Sequence, residues 1–215
     1  MRKGPLPLLY RMARLAAKVI FRLRDPGRNL IPASGPVILA ANHTSDWDPP
    51  VLGIASRRIP YYMAKAELFR KPLVRRLLTW VGAFPLNRRD ADTGAIRTAL
   101  EILGRGEVLA MFPEGTRSRD GLLRSARPGV SMLARRSGAP VVPTYISGTA
   151  RPLRGLTVAF GPPVTPEEIE DLARRDGDGA VSRLLTDRIA DAGRRAGVFK
   201  GFADHENEPS RRENT

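Results

Sequence analysis

Six short apolar, β-prone runs are spread through the chain, at 37–41, 61–64, 83–86, 108–112, 141–146 and 156–160. Helical patterns fill most of the intervals, at 51–56, 68–80, 91–103 and 130–136. Strands alternating with helices predict a parallel sheet, because a parallel neighbour is reached only through a long crossover. Near-continuous apolar strands further predict cover on both faces. The fold class expected is therefore α/β: a single domain with a largely parallel central sheet flanked by helices.

With 215 residues, 42% of them apolar, the chain can bury one substantial core. Cysteine is absent, which excludes disulfides, thiolate metal sites and cysteine nucleophiles, and suits a reducing compartment. The net charge of +14 points to an anionic partner: nucleic acid, phospholipid headgroups or phosphorylated metabolites. Aromatic residues are few and not interleaved with the basic ones, so recognition by base stacking, and with it a nucleic-acid partner, is not expected.

No apolar run approaches the ~20 residues of a membrane span. The N-terminal segment has basic residues before an apolar region, but Arg11, Arg14, Lys18 and Arg22 interrupt that region, against a secretion signal. At three- and four-residue spacing these four form one stripe of a helix, while Leu8, Leu9, Met12, Leu15, Ala16, Val19, Ile20 and Leu23 face elsewhere. Such a helix either lies in a membrane interface or covers the domain's own core. A cationic polar face, with no acid from residue 1 until Asp25, favours the membrane.

The turn-rich "DPGRNLIPASGP" then connects to the domain. The expected division is an amphipathic membrane-associating helix and linker over 1–28, the α/β domain over 29–200, and a disordered polar tail over 201–215. Near the end of the domain, Thr165 is a predicted N-cap followed by Pro166 and acids. A second helix, at about 180–196, follows the "DGDG" segment.

Four segments could carry chemistry. In "NHTSDWDPP", His43 precedes Asp46 and Asp48 at a strand end. An imidazole can take a hydroxyl proton if its other nitrogen donates to a carboxylate, and spacing alone leaves both aspartates open as that partner. Asp48 before Pro49 is also a predicted helix N-cap. In "MFPEGTRSRDG", Gly115 permits a tight turn, Thr116 and Ser118 offer hydroxyls, and Arg117 offers a fork that matches phosphate. "GAFPLNRRD" delivers Arg88 and Arg89 at another strand end, and "APVVPTYISGT" ends a further strand in Ser147-Gly148. Neither a Gly-x-Ser-x-Gly elbow nor a Gly-Lys-Ser/Thr phosphate loop is present, so a base acting directly on an acceptor hydroxyl is the simpler mechanism.

The order "NHTSDWD", "GAFPLNRRD", "FPEGTRS", "VVPTYISG" resembles the four motif blocks of the glycerolipid acyltransferases, specifically the 1-acyl-sn-glycerol-3-phosphate (lysophosphatidic acid) acyltransferase family. "KAELF" and "ARPGV" are similar to its linking segments, and the resemblance covers residues 36–162. It implies transfer of a fatty acyl group from acyl-CoA or acyl carrier protein to the hydroxyl of a lysophospholipid, without metal or cofactor. It also implies that His43 is the general base and Asp48 its orienting acid, with Asp46 at a variable position. Arg88, Glu114, Gly115 and Arg117 match positions that serve the acceptor phosphate and shape the site, and Thr116 and Ser118 belong to the same block. Thr144 and Tyr145 stand where many members are more aliphatic, and Asn87 where an aspartate is common. Both substrates being amphiphiles, the resemblance implies a peripheral enzyme on membrane phospholipids at the cytoplasmic face of the cell membrane.

Overall fold

All five residues of β1 (Val37–Ala41) are buried, which is the signature of a central strand covered on both faces. In the computed structural model, which describes residues 6–86, 93–118 and 120–203, β1 lies between β4 (Val108–Met111) and β5 (Val141–Ser147), parallel to both. With β2 (Tyr61–Lys65), β3 (Ala83–Leu86) and β6 (Thr157–Phe160) they form one sheet in the order β3-β2-β4-β1-β5-β6. Only β6 runs antiparallel to its neighbour. No α-helix intervenes between β5 and β6, and a connection that short can only return antiparallel.

Side chains alternate along each strand between two cores. Ile38, Ala40, Leu109, Val141 and Tyr145 face one layer; Val37, Leu39, Ala110, Val142 and Ile146 face the other. The first layer holds α4 (Thr93–Gly104), α5 (Gly129–Ser137) and α6 (Pro166–Arg195), through residues such as Leu103, Leu133, Ile169, Leu185 and Ile189. The second holds α1 (Leu6–Ile20), α2 (Asp48–Ala55) and α3 (Pro72–Val81), through Ala17, Leu52, Ala55 and Leu78. This division follows from handedness. The chain steps from β1 through β2 to β3 in one direction and from β3 through β4 to β5 in the other, so right-handed crossovers put the two sets of helices on opposite faces. Neighbouring β1 and β4 consequently send their C-terminal connections to opposite sides, which opens a crevice between them.

One expected helix differs from its sequence pattern. The run at 68–80 is a 3-10 turn over Ala66–Arg70 and then α3, because Lys71 is extended (φ −85°, ψ 119°), as a residue before proline tends to be. The two expected C-terminal helices are both present: Gly177, non-helical at φ 77° and ψ 171°, separates them within α6, and Thr165 caps the first by accepting from the Glu168 amide at 3.2 Å. Residues 201–203 do not behave as a tail. Leu123 N donates to Gly201 O and Ala203 N to Leu123 O, both at 3.0 Å, while residues 204–215 lie outside the described part. The linker, too, is tied down: Arg24 N donates to Leu156 O and Val158 N to Arg24 O, each at 2.9 Å.

In α1, Arg14 turns inward to an ion pair with Asp25, and Ala17 is the only buried residue among side chains 8–20. Leu8, Met12, Leu15, Val19 and Ile20 are exposed. The apolar stripe thus faces away from the domain rather than covering its core.

Candidate active site

The crevice between β1 and β4 is where the predicted residues converge. Asn42, just past β1, is buried; its side-chain amide donates to Ile146 O at 3.0 Å and its carbonyl accepts from Ile146 N at 2.6 Å. That pair of bonds fixes the end of β1 to β5 and sets the chain's exit direction. His43 comes next and is held from three sides. Its amide donates to Glu114 Oε1 at 3.0 Å, its carbonyl accepts from Ser118 N at 2.8 Å, and its ring stacks on Phe112 with centroids 4.3 Å apart.

His43 Nδ1 lies 2.9 Å from Asp48 Oδ2, which decides between the two candidate aspartates. The same oxygen accepts from the amides of Thr44 at 2.6 Å and Ser45 at 2.7 Å, and Oδ1 accepts from Thr149 Oγ1 at 2.6 Å. The Asp48 side chain has no exposure while that of His43 keeps 14%, so the acid is sealed and the base still reaches solvent. Four donors compensate the removal of this carboxylate from water, without which its burial would cost several kcal/mol. With Nδ1 engaged, Nε2 is the nitrogen left to accept a proton.

The expected N-cap role of Asp48 is corrected. Asp48 is already inside α2, Trp47 holds the cap position, and the carboxylate is turned back onto the preceding loop. Pro49 sits in the first turn, as predicted.

The loop after β4 supplies the other wall. Glu114 is 4% exposed, and burial raises its carboxyl to about 7 against the opposing pull of the His43 and Arg124 amides. Its Oε2 has no partner among the described residues. Glu114 therefore faces the His43 backbone rather than open solvent. Gly115 adopts φ 74°, and a Cβ there would come within 2.8 Å of Arg127 Nε, so this turn requires glycine. Thr116 is exposed beside it. Arg117 forms an ion pair with Asp46 across the crevice mouth, with both side chains solvated, so the pair is readily exchanged for another anion. Ser118, expected at the substrate, is fully buried; its hydroxyl donates to Leu122 O at 2.6 Å and is committed to shaping the loop. Arg88 lies outside the described residues.

Asn42, Phe112 and Thr149 complete the arrangement without having been singled out in the sequence. Their signals were positional: Asn42 and Phe112 open the NHTSDWD and FPEGTRS blocks, and Thr149 stands directly after the Ser147-Gly148 strand end. Gly148 there is at φ 93°, and a Cβ would fall 2.0 Å from Gly155 O. Among the described residues no cluster of His, Cys, Asp or Glu could hold a metal ion. A basic cleft of about 530 Å³ lined by Arg11, Arg14, Arg28, Arg57 and Arg105 lies near the start of β1, at the opposite edge of the sheet, and includes none of these groups.

The acyltransferase family model matches residues 22–147, which include the whole of this site except Thr149. The 1-acyl-sn-glycerol-3-phosphate acyltransferase of Bacillus subtilis is 28% identical over 84% of this chain and 95% of its own length. A lyso-ornithine lipid O-acyltransferase of Pseudomonas aeruginosa is 33% identical over 63% of this chain, which spans about half of that protein (51%). The crystal structure of the 1-acyl-sn-glycerophosphate acyltransferase of Thermotoga maritima superimposes with a TM-score of 0.66 over 93% of this chain and 86% of that one, at 22% identity, and shares the fold. The chain thus belongs to the acyltransferase family, the family of these 1-acyl-sn-glycerol-3-phosphate acyltransferases.

Proposed function

We propose that this acyltransferase moves a fatty acyl group from the thioester of acyl-CoA or acyl carrier protein to the sn-2 hydroxyl of 1-acyl-sn-glycerol-3-phosphate, giving phosphatidic acid. The observation that carries the reading is the pairing of His43 Nδ1 with a sealed Asp48 at a sheet switch point, which leaves Nε2 free as a base. In this mechanism Nε2 removes the hydroxyl proton as the oxygen attacks the thioester carbonyl, and Asp48 stabilises the resulting imidazolium. Collapse of the tetrahedral intermediate expels the thiolate, to which the imidazolium returns the proton. The amides of Gly115 and Ser118 are spent on Phe112 O and His43 O. Those of Thr116 and Arg117, in the same turn, are the donors we assign to the developing oxyanion.

Arg117 takes the acceptor phosphate by exchanging Asp46 for it, with Arg88 as a second cation, and anchoring that end orients the hydroxyl. Glu114 acts here through the His43 backbone as a positioning residue. No described helix is long and apolar enough to cross a membrane. The reading places the enzyme peripherally on phospholipid at the cytoplasmic face, and the outward apolar stripe of α1 supports the peripheral attachment. The likeness to a lyso-ornithine lipid acyltransferase favours one alternative acceptor, a lysolipid with another headgroup.

The test is an acyl-transfer assay with labelled acyl-CoA and acyl carrier protein over lysophosphatidic acid, lyso-ornithine lipid and glycerol-3-phosphate. Turnover is expected with lysophosphatidic acid, lost in His43→Ala and weakened through KM in Arg117→Ala. Unchanged turnover in His43→Ala would overturn the mechanism, and preference for a phosphate-free acceptor would overturn the substrate.

A further inference from the structure

The helix α3 carries two apolar stripes, and the domain uses one. Val74, Leu78 and Val81 are half-buried, with Leu78 packed against the second core layer. Leu73, Leu77 and Trp80 recur at the same four- and three-residue spacing, one position earlier, and are 83%, 58% and 47% exposed. No residue of α3 is buried, so this helix gains little from packing on its own domain.

Charge defines what could cover the open stripe. Over residues 65–76 the basic residues are Lys65, Arg70, Lys71, Arg75 and Arg76, and Glu67 is the only acid. An apolar stripe beside a cationic flank matches an anionic bilayer surface, where leucines enter the acyl boundary, tryptophan lies at headgroup level and basic side chains meet phosphates. A second copy of the chain fits less well, because a two-fold contact through this face would set Arg75 and Arg76 against their own counterparts.

Topology places the surface beside the site. The turn at Ala66–Arg70 follows β2, which runs parallel to the strands that end at the crevice, so Leu68 is at the catalytic edge of the sheet. Trp47 shares that edge, since it lies between His43 and Asp48; it is 68% exposed and Leu68 47%. The same helix layer holds α1, whose apolar stripe also faces outward.

We propose that α3, the turn before it and Trp47 form a second membrane-contacting surface, seated on anionic bilayer and holding the mouth of the crevice against it. The proposal extends the reading of α1 as an interface helix and takes its purpose from the lipid-acceptor reading, but its observations stand apart from both.

The only two tryptophans of the chain, Trp47 and Trp80, are the reporters. In the full-length Trp47→Phe protein, fluorescence comes from Trp80 alone. Vesicles of phosphatidylglycerol and phosphatidylcholine should shift it to the blue, and brominated acyl chains should quench it, while pure phosphatidylcholine does so less. Replacing Leu73 and then Leu77 by serine should lower the partition coefficient by about tenfold each, the scale of withdrawing one leucine from an apolar environment. In the wild-type background, turnover on a short-chain monomeric acceptor should survive both changes. Arg75→Gln with Arg76→Gln should erase the preference for anionic vesicles.

The proposal fails if Trp80 is not quenched, if the serine variants partition like wild type, or if the stripe proves to be covered by concentration-dependent self-association. Quenching in a protein that acylates no lysolipid would sink the catalytic reading and leave this one standing.

Discussion

Thr149 Oγ1 donates to Asp48 Oδ1 at 2.6 Å, joining the end of β5 to the acid that holds His43. The residues are 101 positions apart, so the carboxylate is gripped by the β1 loop on one side and by β5 on the other. Thr149→Val keeps the shape and removes the donor, leaving one buried oxygen unpaired. We expect kcat to fall roughly tenfold, about 1.4 kcal/mol, with KM nearly unchanged. Thr149→Ser should restore most of it. A valine variant with wild-type kcat would show that Asp48 needs only the His43 loop.

Glu114 makes stability depend on pH. Burial lifts its carboxyl from the ordinary value of 4.5 to about 7 in the folded protein. A raised carboxyl favours the protonated form in the native state, so its contribution is intact below about 4.5 and is lost as pH rises through 7. The loss should total on the order of 3 kcal/mol, accumulating at about 1.4 kcal/mol per pH unit across that window. Glu114→Gln keeps an acceptor for the His43 amide and removes the titration. Chemical denaturation at pH 5 and pH 8 should show the two proteins alike at pH 5 and the variant more stable at pH 8. Equal pH slopes would refute the assignment.

Much of this was legible in the chain, for reasons particular residues make plain. β1 and β3 are bounded as their apolar runs are, since Gly, Pro and polar residues interrupt the pattern on both sides. Spacing offered His43 two carboxylates, Asp46 and Asp48, since a short turn can fold either back onto a strand end, and only the resemblance of the motif blocks pointed to Asp48. What could not be read was the direction in which side chains point once tertiary contacts compete. Asp48 serves loop amides rather than its own helix, Ser118 is buried by the turn it stabilises, and Arg14 gives up the polar face of α1 for Asp25. Thr149 depends on a parallel register between β1 and β5 that no local spacing encodes.

Arg117 and Asp46 form an exposed ion pair across the crevice mouth, of the kind worth ~0–1 kcal/mol. Asp46→Ala should leave thermal stability almost unchanged and lower KM for a phosphate-bearing acceptor, since the arginine no longer has to release a carboxylate. Arg117→Ala should raise KM about tenfold or more, and the two effects should not add, because they act on one guanidinium. Steady-state kinetics of the two single variants and the double variant test this. An Asp46→Ala enzyme with a raised KM would mean that the pair positions Arg117 instead of competing for it.

Gly193 is the point where α6 comes down on β5. A Cβ on it would lie 2.7 Å from Cγ and 2.9 Å from Cδ1 of the Tyr145 ring, which is 1% exposed and anchored by the Lys200 amide at 3.3 Å. Neither partner can yield cheaply: the ring is packed edge-on against Phe199, and the helix is held by Leu185 and Ile189 in the same core. Gly193→Ala should therefore destabilise the protein by about 1–3 kcal/mol, the usual cost of overpacking, even though alanine is the better helix former. Because β5 leads to Thr149, turnover should fall along with stability. Tyr145→Leu makes room for the methyl group, so the double variant should recover part of the loss, and a double-mutant cycle in denaturant would measure that coupling. Additive costs would show that helix and strand separate at Gly193 without reference to the ring.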